Sequence, residues 1–576
     1  MRKLHLFLPF VLLLPTLVSP VAAQAPLEPQ QLPARTTFYL IWRGSPAGET
    51  RKSNALLSLW DDPDFAPVRA AMVDALMSDS KGQKEKSAPT REEIAEFATL
   101  LDNSFTFGFL SRREGPAAKA PAAQAGAPAP AWNRMFFVYD RSGKEALLSK
   151  AVLRMRATGA EIPKLTEVNV AGVPALKIER KSGTTYWSEI GKYAVSAGDE
   201  SVFEEVLKRV SGKGTGSSLV DSEAYREAQP LLAGGAVEFF LRVPQIKELA
   251  GDSETAPPQV KALWSAIRLE AIHVFAGHIS LEGSRTRLQG GILGNTAEGS
   301  LFDIWGDGQS QPASLAFLTP DTVYYNESQF NLPGIYRALK RALSQPGSNT
   351  APMVNTLENM AQTRIGMPLP DALALTTGEF GSLQSSPALD PDKKLIFAGI
   401  RNKPEALKLM RTILSDRITS ERNEGTVTYL KISLKGDQKA AGTAQWGFYH
   451  LAVTPSLLLG ATKSDTLHAT LSQAIPGDPS LPKNLQAARS KFPERLNGFS
   501  YFDLQKLDWA AVKQQWTSQI TSAAKDAKDA DAAQKAKKVN NWFQNVNPEV
   551  FPRHLHSLTG ASWKDAGGVH FDDWID

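Results

Sequence analysis

The chain contains no cysteine in 576 residues. That absence excludes thiol catalysis, Cys-ligated zinc, iron–sulfur clusters, disulfides and a lipidated N-terminal cysteine. A one-signed charge is also missing. Lys and Arg number 64 against 60 Asp and Glu, a formal +4, which is not the concentrated basic field of a nucleic-acid binder. After the N-terminal segment no stretch approaches 18 continuous apolar residues, so no transmembrane helix is expected there. There is no Gly-x-Ser-x-Gly elbow, no Gly-x-x-x-x-Gly-Lys phosphate loop, no His-Glu-x-x-His and no EF-hand loop. What remains is an ordinary globular composition, and its 42% of apolar residues are enough for a large core without staples. By length alone the chain would hold three or four domains of about 100–200 residues.

Residues 1–25 read as a secretory signal peptide. Arg2 and Lys3 precede the apolar run Leu4–Val18, and the small residues Ala22, Ala23 and Ala25 follow. The run is broken by Pro9 and Pro15 and falls short of the roughly 20 residues of a span. Cleavage after Ala23 or after Ala25 is expected, and loss of Arg2 and Lys3 takes the charge from +4 to +2. A cysteine-free chain suits an oxidising compartment, so the expected address is the periplasm or the exterior.

The rest of the sequence reads as one pattern written twice. Thr36–Trp42 after Leu32-Pro33 matches Asp321–Tyr325 after Thr319-Pro320. Met135–Tyr139 runs into a helix opening Ser142-Gly143-Lys144-Glu145, as Leu395–Ile400 runs into Asn402-Lys403-Pro404-Glu405. Ser or Asn with Glu three residues later is a capping signature. Tyr193–Asp199 leads to a helix with Phe203, Val206, Leu207 and Val210 on one face, and Pro455–Gly460 to one with Leu467, Leu471 and Ala474. Val237–Leu241 matches Phe499–Leu504. Each copy closes on a hairpin, turning at Glu282-Gly283-Ser284 and at Asp565–Gly568. The expectation is an α+β fold of two tandem pseudo-repeats, residues 32–297 and 310–576. Each would be a mostly antiparallel, curved sheet backed by amphipathic helices. An Ala/Pro-rich loop is expected over 114–131, a long helix over 508–545 with Trp509, Val512, Trp516 and Ile520 docked on its own domain, and a C-terminal hairpin over 554–575.

Candidate chemistry is sparse. Ser78/Lys81 and Ser480/Lys483 have Ser-x-x-Lys spacing, but the first lies in a charged linker and the second contains Pro482. Gly212–Ser218 is Gly-rich with Lys213, yet follows a helix and reads as a flexible connection. His554 and His556 alternate as on a strand, while the hairpin register sets His570 beside Trp563, too far to share an ion. His273 and His278, five apart, fall on opposite strand faces. Asp61, Asp62 and Asp64 read as a capped helix start with Asp62 as N-cap and Pro63 at the first position. Aromatics in Thr36–Trp42 and Thr184–Trp187 read as half-buried strand residues.

On Leu32-Pro33-Ala34-Arg35-Thr36 and Asp62-Pro63, with the signal peptide, the chain resembles a bacterial family of exported proteins of unknown function. The resemblance implies a long α+β body and an exported address, and brings no catalytic residues. The sequence therefore points to a non-enzymatic binding or scaffold protein of the cell envelope, with no catalytic, cofactor-binding or metal residues and no cofactor. Its partners would be envelope proteins or an apolar ligand, not nucleic acid. The alternatives are an exported hydrolase with its site between the halves, or an apolar-ligand carrier.

Overall fold

A run of β-branched and aromatic residues makes Thr36–Trp42 a strand whose Tyr39 and Ile41 are completely buried. The computed structural model describes residues 25–46, 48–70, 96, 99–111, 134–150, 164–180, 183–232, 234–245, 268–296, 300–343, 351–433, 449–473, 481–526, 540 and 544–576. The signal segment, apart from Ala25, lies outside these residues, as do Ser78/Lys81, Ser480, the 114–131 loop and most of 527–545.

Among the described residues the fold is α+β with a single antiparallel sheet of twenty strands. In chain order the first ten are β1 Thr36–Trp42, β2 Phe105–Leu110, β3 Met135–Asp140, β4 Lys164–Val170, β5 Val173–Arg180, β6 Gly183–Ile190, β7 Tyr193–Ala197, β8 Val237–Arg242, β9 Ile272–Glu282 and β10 Arg285–Gly294. The second ten are β11 Tyr324–Gln329, β12 Thr376–Gln384, β13 Lys394–Ile400, β14 Ile418–Glu424, β15 Val427–Ile432, β16 His450–Val453, β17 Leu457–Ala461, β18 Gly498–Asp503, β19 Ser557–Lys564 and β20 Gly568–Ile575. From β4 the ladder runs β4-β5-β6-β7-β3-β2-β1-β8-β9-β10. It crosses to β20 and continues β20-β19-β18-β11-β12-β13-β17-β16-β15-β14.

Helices cover the sheet where their apolar stripes predict. Helix Glu200–Val210 starts at Asp199, whose side chain accepts from the Ser201 and Val202 amides, and buries Val202, Phe203, Val206 and Leu207. Helix Ser464–Gln473 buries Leu467 and packs Leu471 on the second core; Ala474 lies outside the described residues. The two main cores centre on Tyr39, Phe136, Phe203 and Phe240, and on Tyr325, Phe397, Leu459 and Phe499.

Three expectations need correction. The two halves do not carry separate sheets. β10 and β20 pair over eight residues, from Thr286↔Ile575 to Leu293↔Gly568, because each would otherwise end in a row of unpaired N–H and C=O groups. The C-terminal hairpin begins at Ser557, not His554: Val550–His554 is a helical turn that buries Val550 against Leu59 and Phe65. Ser142 does not cap the following helix; Asp140 takes its amide at 3.0 Å and its hydroxyl at 2.6 Å, and helix resumes at 145–150. Asn402 does cap as expected, accepting from the Glu405 amide at 3.1 Å. The long C-terminal helix is described over Trp509–Asp526 only, docked through Trp509 and Val512 on Val323, Leu504 and Leu507.

Candidate functional site

The histidines separate as their positions dictate. On β9 His273 is exposed and His278 buried, with its Nδ1 2.9 Å from the Leu231 carbonyl. His570 stacks on Trp563, its cross-strand neighbour, at 5.5 Å. His554 leaves His556 and goes elsewhere: Nδ1 lies 2.9 Å from Ser58 Oγ and Nε2 2.9 Å from Asp62 Oδ2. Asp62 keeps the expected capping role, accepting from the Asp64 amide at 2.8 Å, with Pro63 at the first position. Burial opposes its ionisation, but His554, the Asp64 amide and Arg553 outweigh burial and hold its carboxyl below the usual range.

Ser58, His554 and Asp62 thus form a polar chain of the nucleophile–base–orienter type, with Ser58 and Asp62 from the first half and His554 from the second. Its setting is that of a fastening. Ser58 lies within helix Ala55–Asp61, and its hydroxyl also donates to the Ala55 carbonyl at 3.1 Å. Its amide is bound to the Asn54 carbonyl and so is not free to stabilise an oxyanion. Phe65 and Phe551 pack edge to face beside it, 6.2 Å between centroids.

Two other polar clusters are closed deep in the sheet. Tyr39 donates to Glu238 at 2.5 Å, and Arg43 reaches both Glu238 and Glu28. Tyr325 donates to Glu327, Ser314 Oγ lies 2.7 Å from the same hydroxyl, and Arg489 pairs with Glu327 at 2.7 Å. Burial pushes both carboxyls above the ordinary range, against Tyr39 and Arg43 for Glu238 and against Arg489 and Tyr325 for Glu327. Glu379, 1% exposed, accepts from the Ala313 and Ser314 amides. Glu238, Glu327 and Glu379 are buried and held by these partners, while Arg43, Glu28 and Arg489 keep 12–18% of their side-chain surface exposed, and Arg43 Nε has no partner among the described residues.

An open pocket of about 680 Å³ lies where β11, β13 and β19 end and β12 and β18 begin. One wall is the loop Asp303–Gln309, held by the bridges Trp305↔Phe330 and Gln309↔Leu496. Another is the start of helix Leu332–Leu343, capped by Asn331, which accepts from the Gly334 amide at 3.0 Å. Arg401, Arg495 and Lys564 bring three cations to the rim and wall. Gln329, only 3% exposed, lines the pocket, and its carboxamide nitrogen has no hydrogen-bond partner among the described residues. None of these residues is singled out by a local motif. Gln329 reads as one more strand residue and the cations as dispersed surface charge; they meet only because five strand ends meet.

Among the described residues no group of three or more His, Asp or Glu is placed to hold a metal ion, and no helix is long and apolar enough to cross a membrane. Comparison of the chain with family models, with curated proteins and with solved structures finds no match.

Proposed function

We propose that the chain is an exported, non-enzymatic binding protein of the bacterial cell envelope, with two pseudo-repeats arising by duplication of one α+β unit. The observation that carries the binding reading is the open pocket over Gln329: a concave site that offers cations and an unused buried donor. Duplication is supported by the ladder, since strand labels on the far side of the β10–β20 seam are those of the near side plus ten, in the same succession. It is supported again by the Gly108↔Phe136 and Gly381↔Phe397 pairs at corresponding places on β2–β3 and β12–β13. The signal segment and the resemblance carried by Leu32–Thr36 and Asp62-Pro63 support the address. Ala25 is buried and its amide bonds Glu28 Oε1 at 3.1 Å, which favours cleavage after Ala23.

A second reading, an exported hydrolase with its site between the halves, is favoured by the Ser58–His554–Asp62 chain alone. One experiment separates the two. Protein recovered from the periplasmic fraction, with Gln24 expected as its first residue, is screened by thermal shift against small metabolites and assayed on ester, peptide, phosphoester and glycoside substrates. Ligand-dependent stabilisation without turnover is the expected result. Turnover abolished by Ser58→Ala at unchanged melting temperature would replace the binding reading with the hydrolase.

A further inference from the structure

We infer that the pocket at the end of β11 is an oxyanion site that takes the phosphate or carboxylate group of a small ligand. The inference rests on the binding reading and names its chemistry. Consider first what the pocket's own acceptors are doing. The Gln329 carbonyl takes the Gly306 amide at 3.3 Å, and the Gly306 carbonyl takes Asn497 Nδ2 at 2.6 Å. Asp303 receives Asn331 Nδ2 at 2.8 Å and Arg337 at 3.1 Å. The side chain of Asp307 is 93% exposed, with Oδ1 4.0 Å from Lys564 Nζ. The protein's acceptors are therefore occupied or turned to water, while the Gln329 carboxamide nitrogen is buried without one. Gln329 lines the pocket beside Gly306, where a built Cβ would stand 3.8 Å from Gln329. A buried donor of this kind is satisfied when an acceptor is supplied from outside.

The charges point the same way. Arg401 is anchored by Nε to the Thr376 carbonyl at 3.0 Å, and its two terminal nitrogens hold no hydrogen bond among the described residues. The residue after β3, Arg141, is used differently: it holds the Gly191 carbonyl through Nε and Nη2 and pairs with Glu189. Arg495, on the opposite wall, has neither ion pair nor hydrogen bond among the described residues. Lys564 sits on the Trp305 carbonyl at 3.1 Å. The positive end of a twelve-residue helix faces the same space. Two guanidinium groups, an amide donor and a helix N-terminus suit an oxyanion, which accepts from all of them, and disfavour a metal cation.

Inorganic phosphate and succinate serve as the two probes, titrated calorimetrically into the mature protein at low salt, with Arg401→Ala/Arg495→Ala and Gln329→Met as variants. At least one probe is expected to bind, and the double variant to weaken it by about tenfold or more, as loss of charge-assisted contacts does. Gln329→Met should also weaken it while leaving the melting temperature equal or higher, since it removes the unpaired amide. The stronger probe tells a phosphoryl from a carboxylate ligand. Binding of neither probe, or binding untouched by all three substitutions, overturns the inference. If another compound still stabilises the protein, the binding reading survives that failure; Ser58-dependent turnover would remove the reading and leave an anion pocket standing.

Discussion

Tyr39 and Tyr325 each take a hydroxyl into the buried face of the sheet, and each meets a carboxylate there, but from different strands. Glu238 stands on β8 opposite Ile41 of β1, whereas Glu327 stands on β11 opposite Phe499 of β18. The acid thus stands on β8 in one cluster and on β11 in the other, and its cation is Arg43 in the first and Arg489 in the second. Because burial raises the Glu327 carboxyl in the folded chain, the folded state holds that proton more tightly than the unfolded one. Its contribution to stability is therefore greatest below the ordinary carboxylate range and is lost as pH rises through the folded value. Glu327→Gln abolishes that titration. The unfolding free energy of the natural protein minus that of the variant should fall between about pH 5 and about pH 8. Urea denaturation at the two pH values measures it, and a difference that grows with pH would mean that the Arg489 pair outweighs burial.

At the scale of elements, glycine and phenylalanine share cross-strand positions. A Cβ on Gly108 would fall 2.4 Å from Phe136 Cζ, and one on Gly381 would fall 2.5 Å from Phe397 Cζ and 2.0 Å from the Asn326 carbonyl. Each ring lies over the missing side chain of its neighbour, and the backbone contact at Gly381 leaves no room for relaxation. Gly381→Ala should lower stability by about 1–3 kcal/mol, the usual cost of overpacking, read as a lower midpoint in urea at unchanged slope. The outermost strands are protected differently. β4 carries Lys164 and Glu167, and β14 carries Glu421, Arg422 and Glu424 along a mostly exposed face, a charged border that discourages edge-to-edge pairing.

The whole molecule is one ladder because of its seam. Besides the β10–β20 pairing, Arg287 forms a two-pronged bond to the buried Asp572 at 2.8 and 2.6 Å, and Val243, Ile272 and Phe302 pack with Val569. Asn54, at the head of helix Ala55–Asp61, holds the Arg285 carbonyl and the Thr286 hydroxyl, and the same helix carries Ser58 to His554. With backbone, ionic and apolar ties across one boundary, the halves should not unfold separately. Calorimetry is expected to give one transition with equal calorimetric and van't Hoff enthalpies. Two transitions, or a ratio near two, would show that each half is a cooperative unit of its own.

The sequence by itself determined the elements: strands from the β-branched and aromatic run Thr36–Trp42, helices from the stripe through Phe203 and Val206, and hairpins from Gly283 and Gly567-Gly568. These are local signals, set by side-chain period and by the backbone freedom of turn residues. It also placed His570 beside Trp563, since register follows from a turn. Only the tertiary structure decided that β10 meets β20, that His554 joins Ser58 across 496 residues of sequence, and that Gln329, Arg401, Arg495 and Lys564 share one pocket. An open strand edge accepts any backbone, so its partner is chosen by packing of the complete chain. A binding site made of strand ends exists only after that choice. The missing cysteine takes its meaning from the same place: burial and one continuous ladder hold the described chain together, with no covalent staple.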